Sequence, residues 1–530
     1  MVKILMINPV VREEDDPKHI PYGMALLAQI AIDKGHQVQF YDENAWRKGP
    51  EVKKQVLCAD DWEVVAIGGL ITTYKSVKET LKMARKLCPQ AKIVAGGGFF
   101  TSMPLDMMEW LPEIDLGVVG EGFVTWPVVL EKIANNDLDF SETLGVCYRN
   151  EEGKGVLNFV RPNIADMDVL PYPAWDLLPV EEVYFKNSQL LFSEDTFKLK
   201  KRMDINGSLG CSLVCKYCWH LGTTGDMIVE ANEDGVNDVR FTYGRNIRYH
   251  SPEYIVKMVK TLVDKYEVDF VSFIDENLLT MHVASRRTWL YDLCNLWIEE
   301  GLQPLERRDP NKPYNAYKGG RGVFWAGTSH AGLVDDDVLK AMYSAGCSYL
   351  VYGLESFDPK ILKNLGKGSS QKANLNSVGR TLKSGIIPIP NIIIGFPEES
   401  FESIEITIKC MEKLGIHAKP HFATPYPGSE WYNVYKDSIL EQYDGDLEAF
   451  VSELGDATKI TATISHKFSS VQLLGLQEIV AKKDLRLLQL AKKHWANCDE
   501  HITPLAVPKE SFNMISKKVQ APIEKTTQSI

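Results

Sequence analysis

Apolar runs and helical repeats alternate along the first 130 residues. Short apolar segments predict strands at 3–10, 36–42, 64–70, 92–98 and 116–122. Between them, apolar residues recur at helical spacing in 22–35, 75–88 and 104–111. Strands that alternate with helices, and that are followed by glycine-rich turns, predict an α/β fold with a doubly wound parallel sheet.

Glycines cluster where three of these predicted strands end, at 68–69, 96–98 and 120–122. A glycine lets the backbone approach a ligand closely, and ligands of parallel sheets lie beyond the carboxyl ends of the strands. A single glycine pair is better explained as an ordinary turn. Glycine-rich segments at the ends of three successive strands of one sheet, here called the glycine-rich exits, favour a bound cofactor.

A second alternating block follows from residue 201. Strands are predicted at 201–207, 269–277, 322–328, 349–356, 389–396 and 417–428. Helices are predicted at 252–266, 284–301, 336–346, 371–385 and 400–415. Six β/α repeats predict an open or partial (β/α)6 TIM-like barrel, whose chemistry lies at the carboxyl ends of its strands.

These patterns divide the chain into four parts. We predict a sheet domain at 1–150, a proline-rich linker at 151–200, the barrel at 201–435, and a C-terminal helical domain with a polar tail at 436–530. Two irregular stretches, 219–250 and 301–321, interrupt the barrel and are predicted to be active-site walls or a lid. Their aromatic and basic residues are candidates for binding an anionic or peptide substrate, although a solvated loop face explains them equally well: Trp219, Tyr243, Arg245, Arg307, Arg308, Tyr314 and Tyr317.

Composition narrows the functional class. The 59 basic and 71 acidic residues give a net charge of −12 without a long basic block, which disfavours a nucleic-acid partner. The N-terminus lacks the features of a signal peptide, and no apolar run reaches the ~18 residues of a spanning helix. A soluble cytoplasmic protein without a transmembrane segment is expected.

Three of the ten cysteines crowd into one loop, as Cys211-x3-Cys215-x2-Cys218. In a reducing compartment such a cluster indicates metal binding or catalysis rather than disulfides. Zinc would need a fourth ligand, for which His220 is the nearest candidate. A 4Fe–4S cluster can instead use three cysteines and leave one iron open.

The cysteine spacing, with Tyr217 just before the last cysteine and the loop just after the first barrel strand, resembles the radical S-adenosylmethionine (SAM) superfamily. The resemblance implies that Cys211, Cys215 and Cys218 hold a 4Fe–4S cluster, whose open iron chelates the amino and carboxylate groups of SAM. One electron then cleaves SAM to a 5′-deoxyadenosyl radical, protected by the barrel.

The ends of the second, fourth and fifth barrel strands fit the same resemblance. Carboxylates there are expected to bind the ammonium and ribose groups of SAM, and 394–398 resembles the adenine-side segment. The alternative for each carboxylate is a helix cap or first-turn charge. The predicted SAM-binding residues are Tyr217, Asp275, Glu276, Asn277, Glu355, Ser356, Gly395 and Phe396.

A Rossmann-like domain ahead of this barrel resembles the cobalamin-binding branch of the superfamily. The motif DxHxxG is absent, since Asp16, His19 and Gly23 have the wrong spacing. The resemblance therefore implies base-off cobalamin without a histidine ligand, lying over the loop after the third strand and the glycine-rich exits. The predicted cobalamin-binding residues are Ile71, Thr72, Thr73, Tyr74, Gly96, Gly97, Gly98, Gly120, Glu121 and Gly122.

The resemblance favours a class B-like methyltransferase that uses methylcobalamin and a 5′-deoxyadenosyl radical to methylate an unactivated centre. Cyclisation without methylation, as in anaerobic magnesium-protoporphyrin monomethyl ester cyclases, is the first alternative. A non-enzymatic zinc- or cobalamin-binding regulator is the second. The expected partners are a small-molecule or peptide substrate and an external one-electron reductant of the flavodoxin or ferredoxin type. No catalytic residue is assigned from the sequence.

Overall fold

The computed structural model describes residues 1–187, 199–219, 227–232, 235–242, 244 and 246–495. The strands are β1 Lys3–Asn8, β2 Gln37–Asp42, β3 Val64–Gly69, β4 Lys92–Gly97, β5 Leu116–Val118, β6 Val146–Arg149, β7 Gly155–Leu157, β8 Arg202–Ile205, β9 Ser208–Leu209, β10 Met227–Ala231, β11 Asn237–Phe241, β12 Arg248–Tyr249, β13 Phe270–Phe273, β14 Phe324–Ser329, β15 Cys347–Glu355, β16 Ile387–Ile394 and β17 His421–Phe422. The helices are α1 Tyr22–Asp33, α2 Glu43–Trp46, α3 Pro50–Leu57, α4 Tyr74–Leu87, α5 Gly98–Ser102, α6 Pro104–Trp110, α7 Gly122–Ala134, α8 Phe185–Asn187, α9 Pro252–Tyr266, α10 Leu279–Ala284, α11 Trp289–Glu299, α12 Asp336–Ser344, α13 Pro359–Asn364, α14 Gln371–Ser384, α15 Phe401–Leu414, α16 Glu430–Gln442, α17 Leu447–Glu453, α18 Ser470–Lys482 and α19 Leu485–Trp495.

The N-terminal sheet has the strand order β2-β1-β3-β4-β5-β6-β7. Its first five strands are parallel, and the short β6 and β7 extend one edge in antiparallel fashion. The order 2-1-3-4-5 is doubly wound, and it places a ligand crevice at the carboxyl ends beside the switch between β1 and β3. The predicted parallel sheet is confirmed.

The second sheet has six parallel strands in the order β17-β16-β15-β14-β13-β8. Each strand pairs with the next one along the chain, and β8 and β17 form its two edges, so the sheet is an open partial barrel, as predicted. Local signals fix its helices: Ser251 caps α9 by accepting from the Tyr254 amide, and Pro252 occupies the first turn.

Residues 219–250 differ from the irregular stretch that the sequence predicts. Strands β10 and β11 form an antiparallel hairpin that packs on α6 and β7 of the N-terminal domain, and β12 pairs with β9 just ahead of the cysteine loop. Most residues of the two hairpin strands are half-buried or exposed, and their apolar runs are no longer than three residues, which is too short to predict a strand.

The helices after residue 430 pack on both halves of the molecule. Residues of α16 and α17 enter the core of the N-terminal sheet, whereas α18 and α19 pack on the barrel. The segment predicted as a C-terminal domain, 436–530, is described as far as residue 495. No helix in the described part of the chain is long and apolar enough to cross a membrane.

Two buried polar contacts join the sheet domain to the barrel. Arg248 Nη1 donates to both carboxylate oxygens of Glu121, at 2.8 and 2.7 Å. Asp204, only 2% exposed on β8, accepts from the Ile20 amide at 3.2 Å and bonds the His19 ring at 3.0 Å. These contacts hold the carboxyl end of the N-terminal sheet over the mouth of the barrel.

Candidate active site

A cavity of about 920 Å³ lies between the sheet domain and the barrel. On the sheet side it is lined by the glycine-rich exits of β3, β4 and β5, and on the barrel side by Leu209, Ile274 and Glu276. Aliphatic and aromatic side chains form much of the remaining wall, among them Met24, Leu27, Phe123 and Trp126. The topology therefore brings the carboxyl ends of β3, β4 and β5 in one sheet and of β13 in the other to one cavity.

The cysteine loop lies at this mouth, directly after β9. Cys211 and Cys215 are buried, and Cys218 is half-buried. Backbone bonds fix the loop, because the Lys216 amide donates to Leu365 O at 3.0 Å and Lys216 O accepts from the Trp431 amide at 3.1 Å. Burial and mutual repulsion of their charges raise the pKa of Cys215 to about 11 and also raise that of Cys218. Three thiols within eight residues, two of them buried and one half-buried, favour a bound metal centre as their counter-charge.

The loop supplies three cysteines, the number with which a 4Fe–4S cluster can be held while one iron stays open. Among the described residues, no group of three or more His, Cys, Asp or Glu side chains converges on one metal position. Zinc requires ligands at about 2.0–2.3 Å from one centre, whereas the three thiolates of a 4Fe–4S cluster each bind a different iron. His220, the candidate fourth zinc ligand, lies outside the described residues, as do Tyr243 and Arg245.

Tyr217 and Glu355 are brought together beside the cysteines. The Tyr217 hydroxyl donates to Glu355 Oε1 at 2.8 Å, and buried Lys367 donates to the same oxygen at 2.5 Å and to Gly353 O at 2.5 Å. Gly353 is required here, since a Cβ would lie 2.4 Å from both Glu355 Oε1 and Lys367 Nζ. With Oε1 occupied twice, Oε2 of Glu355 is the oxygen left to accept from a ligand.

Asn277 and His330 supply buried polar atoms at the ends of the second and third barrel strands. His330 is 4% exposed, and burial lowers its pKa to about 4, so the ring is neutral. Its Nδ1 accepts from the Gly332 amide at 3.1 Å, which leaves the proton on Nε2. His330 Nε2 and Asn277 Nδ2 are buried without a partner in the described residues. Two orphaned donors fit the carboxylate and hydroxyl oxygens of SAM.

The other carboxylate predicted on the second strand, Asp275, is occupied by the protein. It is 1% exposed and accepts from the Gly207 amide at 3.1 and 3.0 Å and from the Ser208 hydroxyl at 2.5 Å. Burial raises its pKa to about 6. Asp275 therefore holds the turn between β8 and β9, which leads into the cysteine loop.

Ser356, Gly395 and Phe396 shape the walls of the barrel mouth. Ser356 Oγ accepts from the Asp358 amide at 3.1 Å, next to the start of α13. Gly395 has φ +88°, and its amide donates to Glu399 Oε2 at 3.1 Å. Phe396 is 1% exposed and packs edge-on against Trp431, with ring centroids 6.0 Å apart.

The loop after β3 presents a residue that the sequence did not single out. Ile71 and Tyr74 are buried in the core, where the Tyr74 hydroxyl donates to Glu448 at 2.7 Å. Thr73 lines the cavity, but its hydroxyl donates to Leu70 O at 2.8 Å. Leu70 is 47% exposed and lines the cavity at this exit. Thr72 is half-buried and does not line it.

The glycine-rich exits of β4 and β5 line the cavity, and at their glycines the cavity wall is bare backbone. Gly97 and Gly120 have φ +77° and +78°, which favours glycine. A Cβ on Gly98 would lie 2.0 Å from the Trp219 ring, whose Nε1 donates to Ser102 Oγ at 3.2 Å. The exits thus fit a large planar cofactor, and Trp219 ties them to the cysteine loop.

The second stretch predicted to be irregular, 301–321, lies away from the interdomain cavity. Residues 301–321 precede β14, at the amino end of the barrel sheet and opposite the cysteine loop. The Tyr317 hydroxyl donates to Asp264, and Arg307 stacks on the Tyr343 ring at 3.6 Å. The predicted substrate-binding residues of this stretch do not line the cavity.

Comparison with known proteins identifies the family. Residues 205–411 match the model of the Radical SAM superfamily, and residues 9–130 match that of the B12 binding domain. A putative methylthiotransferase from Methanocaldococcus jannaschii is 30% identical over 389 residues, which cover 72% of this chain and 70% of that protein. The chain belongs to the cobalamin-binding radical SAM family. The predicted resemblance is confirmed, and with it an enzyme that uses a 4Fe–4S cluster, SAM and cobalamin.

Other members of the family resemble the chain over most of its length. An uncharacterized methyltransferase from Pyrococcus horikoshii is 25% identical over 83% of this chain and 84% of its own. An anaerobic magnesium-protoporphyrin IX monomethyl ester cyclase from Synechocystis is 21% identical over 84% and 79%. The radical SAM methyltransferase TsrM from Kitasatospora setae, solved with cobalamin and a [4Fe-4S] cluster, shares the fold with TM-score 0.60 and 16% identity over 83% of this chain and 78% of that one.

Proposed function

We propose that this radical SAM enzyme is a cobalamin-dependent methyltransferase that acts on an unactivated carbon centre. The observation that carries the proposal is the interdomain cavity, which is bounded on one side by the glycine-rich exits and on the other by Leu209, Ile274 and Glu276. Leu209 directly precedes the cysteine loop. Methyl transfer to a substrate radical needs the methyl donor and the radical source on opposite sides of one substrate.

The residues with free polar atoms are proposed to hold the cofactors. Cys211, Cys215 and Cys218 would bind the cluster. Asn277 Nδ2, His330 Nε2 and Glu355 Oε2 would bind SAM, with Tyr217 and Phe396 beside it and Gly395 at the adenine side. The exits 96–98 and 120–122, together with Leu70, would hold cobalamin.

When bound, these groups would supply a 5′-deoxyadenosyl radical and a transferable methyl group. The protein side chains bind, orient and exclude water. Leu209, Ile274 and Trp126 give the cavity an apolar wall, which protects a reactive radical from quenching. The neutral His330 ring and the Lys367–Glu355 pair provide fixed dipoles and charges that need no rearrangement during reaction. An external one-electron reductant of the flavodoxin or ferredoxin type completes the proposal.

Cyclisation without methyl transfer is the second candidate, favoured by the similarity to the magnesium-protoporphyrin cyclases. The products distinguish the two reactions. Radical methylation forms both S-adenosylhomocysteine and 5′-deoxyadenosine, whereas cyclisation forms 5′-deoxyadenosine alone.

The test uses protein purified anaerobically with cobalamin supplied, incubated with methyl-labelled SAM and candidate substrates. Mass spectrometry should detect both coproducts and the label in a substrate C–H position. The variant Cys215→Ala should lose the cluster absorbance near ~400 nm and 5′-deoxyadenosine formation together. Retention of both in Cys215→Ala, or coproduct formation without label transfer, contradicts the proposal.

A further inference from the structure

Four charged side chains line the interdomain cavity: Glu121, Arg161, Arg248 and Glu276. Glu121 and Arg248 form a pair with each other. Arg161 Nε donates to Thr125 Oγ1 at 3.0 Å. Glu276 alone among these four has no side-chain partner within the described part of the chain; the hydrogen bond that its carboxylate accepts comes from its own amide. Its negative charge is therefore not balanced by a cation of the described cavity wall.

The backbone directs Glu276 towards the sheet domain. After β13 the chain bends at Glu276, and exposure alternates from residue to residue over 274–277. Ile274 and Glu276 are exposed to the cavity, whereas Asp275 and Asn277 are buried at 1% and 2% exposure. Asn277 Oδ1 accepts from the His330 amide at 3.3 Å, which places it with the proposed SAM-binding atoms. Glu276 thus faces the gap between the two cofactor sites.

The surroundings of Glu276 do not stabilise a negative charge. Partial removal from bulk water within the cavity raises its pKa to about 7, the neighbouring charge of Asp275 also raises it, and the bond from its own amide opposes both. Glu276 is also close enough to the cysteine loop for its charge to raise the pKa of Cys211 and Cys218. A carboxylate in such a place is stabilised by a partner that brings a positive charge or an N–H donor.

We propose that Glu276 recognises the substrate, and that the substrate is an apolar molecule carrying an amine or another N–H donor. This inference rests on the proposed function, since it assigns the gap between the cofactors to the substrate. It deepens that function by naming the substrate class. Amines pair with Glu276, and the apolar wall of Leu209 and Ile274 buries the body of the molecule. Carboxylates are excluded by the same field.

The experiment measures equilibrium binding of three probes of equal length to the cofactor-loaded protein. The probes are 3-phenylpropylamine, 3-phenylpropionate and 3-phenylpropanol, and calorimetry gives each Kd. Wild-type protein should bind the amine at least tenfold more tightly than the carboxylate, and Glu276→Gln should abolish this preference. Glu131→Gln makes the same charge change on an exposed face of α7 and should keep the preference.

A second measurement separates the substrate from SAM. Equilibrium dialysis of SAM with the cluster-loaded protein should give the same Kd for wild type and Glu276→Gln. A weaker SAM affinity in Glu276→Gln, or an amine preference that survives the substitution, overturns the proposal. Because binding needs no turnover, these outcomes are independent of the label-transfer test of methylation.

Discussion

Glu355 adopts φ +60°, a left-handed conformation that costs a non-glycine residue about 1 kcal/mol or more. The strand is irregular at this point, where its register against β16 shifts between Gly353 and Glu355. The conformation aims the carboxylate at Tyr217 and Lys367, in a pair where both side chains are 7% exposed. The strain is thus compensated by a buried, charge-assisted contact beside the cysteine loop.

Removing one charge of this pair should cost more than removing both. We expect Lys367→Met to lower the free energy of unfolding by about 3–5 kcal/mol, because it leaves the Glu355 carboxylate buried without a counter-charge. The double variant Lys367→Met/Glu355→Gln should recover part of that loss. Denaturant unfolding of the apoprotein measures both, and equal losses in the single and double variants would contradict the argument.

The cysteines and Glu355 could be named as candidates from the sequence, because the cysteine spacing and the GLES segment at a strand end are local patterns. Lys367, His330 and Leu70 could not, for a physical reason. Lys367 reaches the site from the turn after α13. The Gly332 amide bonds to Nδ1 of His330 and so keeps the ring proton on Nε2. Leu70 faces the cavity only because Ile71 and Tyr74 turn into the core. Contacts between distant segments decide such roles.

At the scale of elements, the turn between β16 and α15 is closed by a buried carboxylate. Glu399 accepts from the Gly395 amide and, at 2.6 Å, from the Ser403 hydroxyl, while Ser400 and Ser403 form a capping box on α15. Burial outweighs these bonds and raises the pKa of Glu399 to about 7, against an ordinary value of 4.5. The turn is therefore sensitive to pH.

The sign of that dependence follows from the raised pKa. Stability from Glu399 is fully present below about pH 4.5 and is lost as the pH rises through about 7. We expect the free energy of unfolding of wild type to fall by about 2–3 kcal/mol more than that of Glu399→Gln between pH 5 and pH 8. Parallel pH profiles of the two proteins in denaturant titrations would refute this.

A second element-scale prediction concerns the exit of β4. Gly98→Ala would place its Cβ 2.0 Å from the Trp219 ring and displace the indole from Ser102. We expect a loss of about 1–3 kcal/mol in the stability of the apoprotein, as for other overpacked sites. Gly96→Ala is the matched control, since its Cβ would meet nothing closer than Val118 O at 3.6 Å. Equal stability of the two variants would speak against the contact.

Across the whole molecule, the alternation of short apolar runs with helical patterns predicted both parallel sheets, because each strand of a parallel sheet is a local apolar run. It could not predict how the two sheets face each other. That arrangement depends on polar contacts such as Arg248–Glu121, which join residues 127 positions apart. The β10–β11 hairpin was missed for a related reason, since its strands are stabilised by packing on α6 and β7.

The Arg248–Glu121 pair should control the docking of the two halves. Its side chains are 8% and 13% exposed, so Arg248→Met leaves a buried carboxylate and should cost about 3–5 kcal/mol. We expect faster amide exchange at Ser208 and Leu209, which pair with β12. Arg248→Met/Glu121→Gln should restore much of the protection. Unchanged exchange in the single variant would show that other contacts fix the docking.

The placement of α16 and α17 has a consequence for synthesis on the ribosome. The core of the N-terminal sheet is completed by late residues, among them Ile439, Phe450 and Leu454. The sheet therefore leaves the exit tunnel hundreds of residues before its last apolar contacts exist. During this interval part of its surface remains uncovered, which is the condition under which nascent chains aggregate or engage chaperones. Premature termination anywhere before these helices would damage the first domain to be made as well as the last.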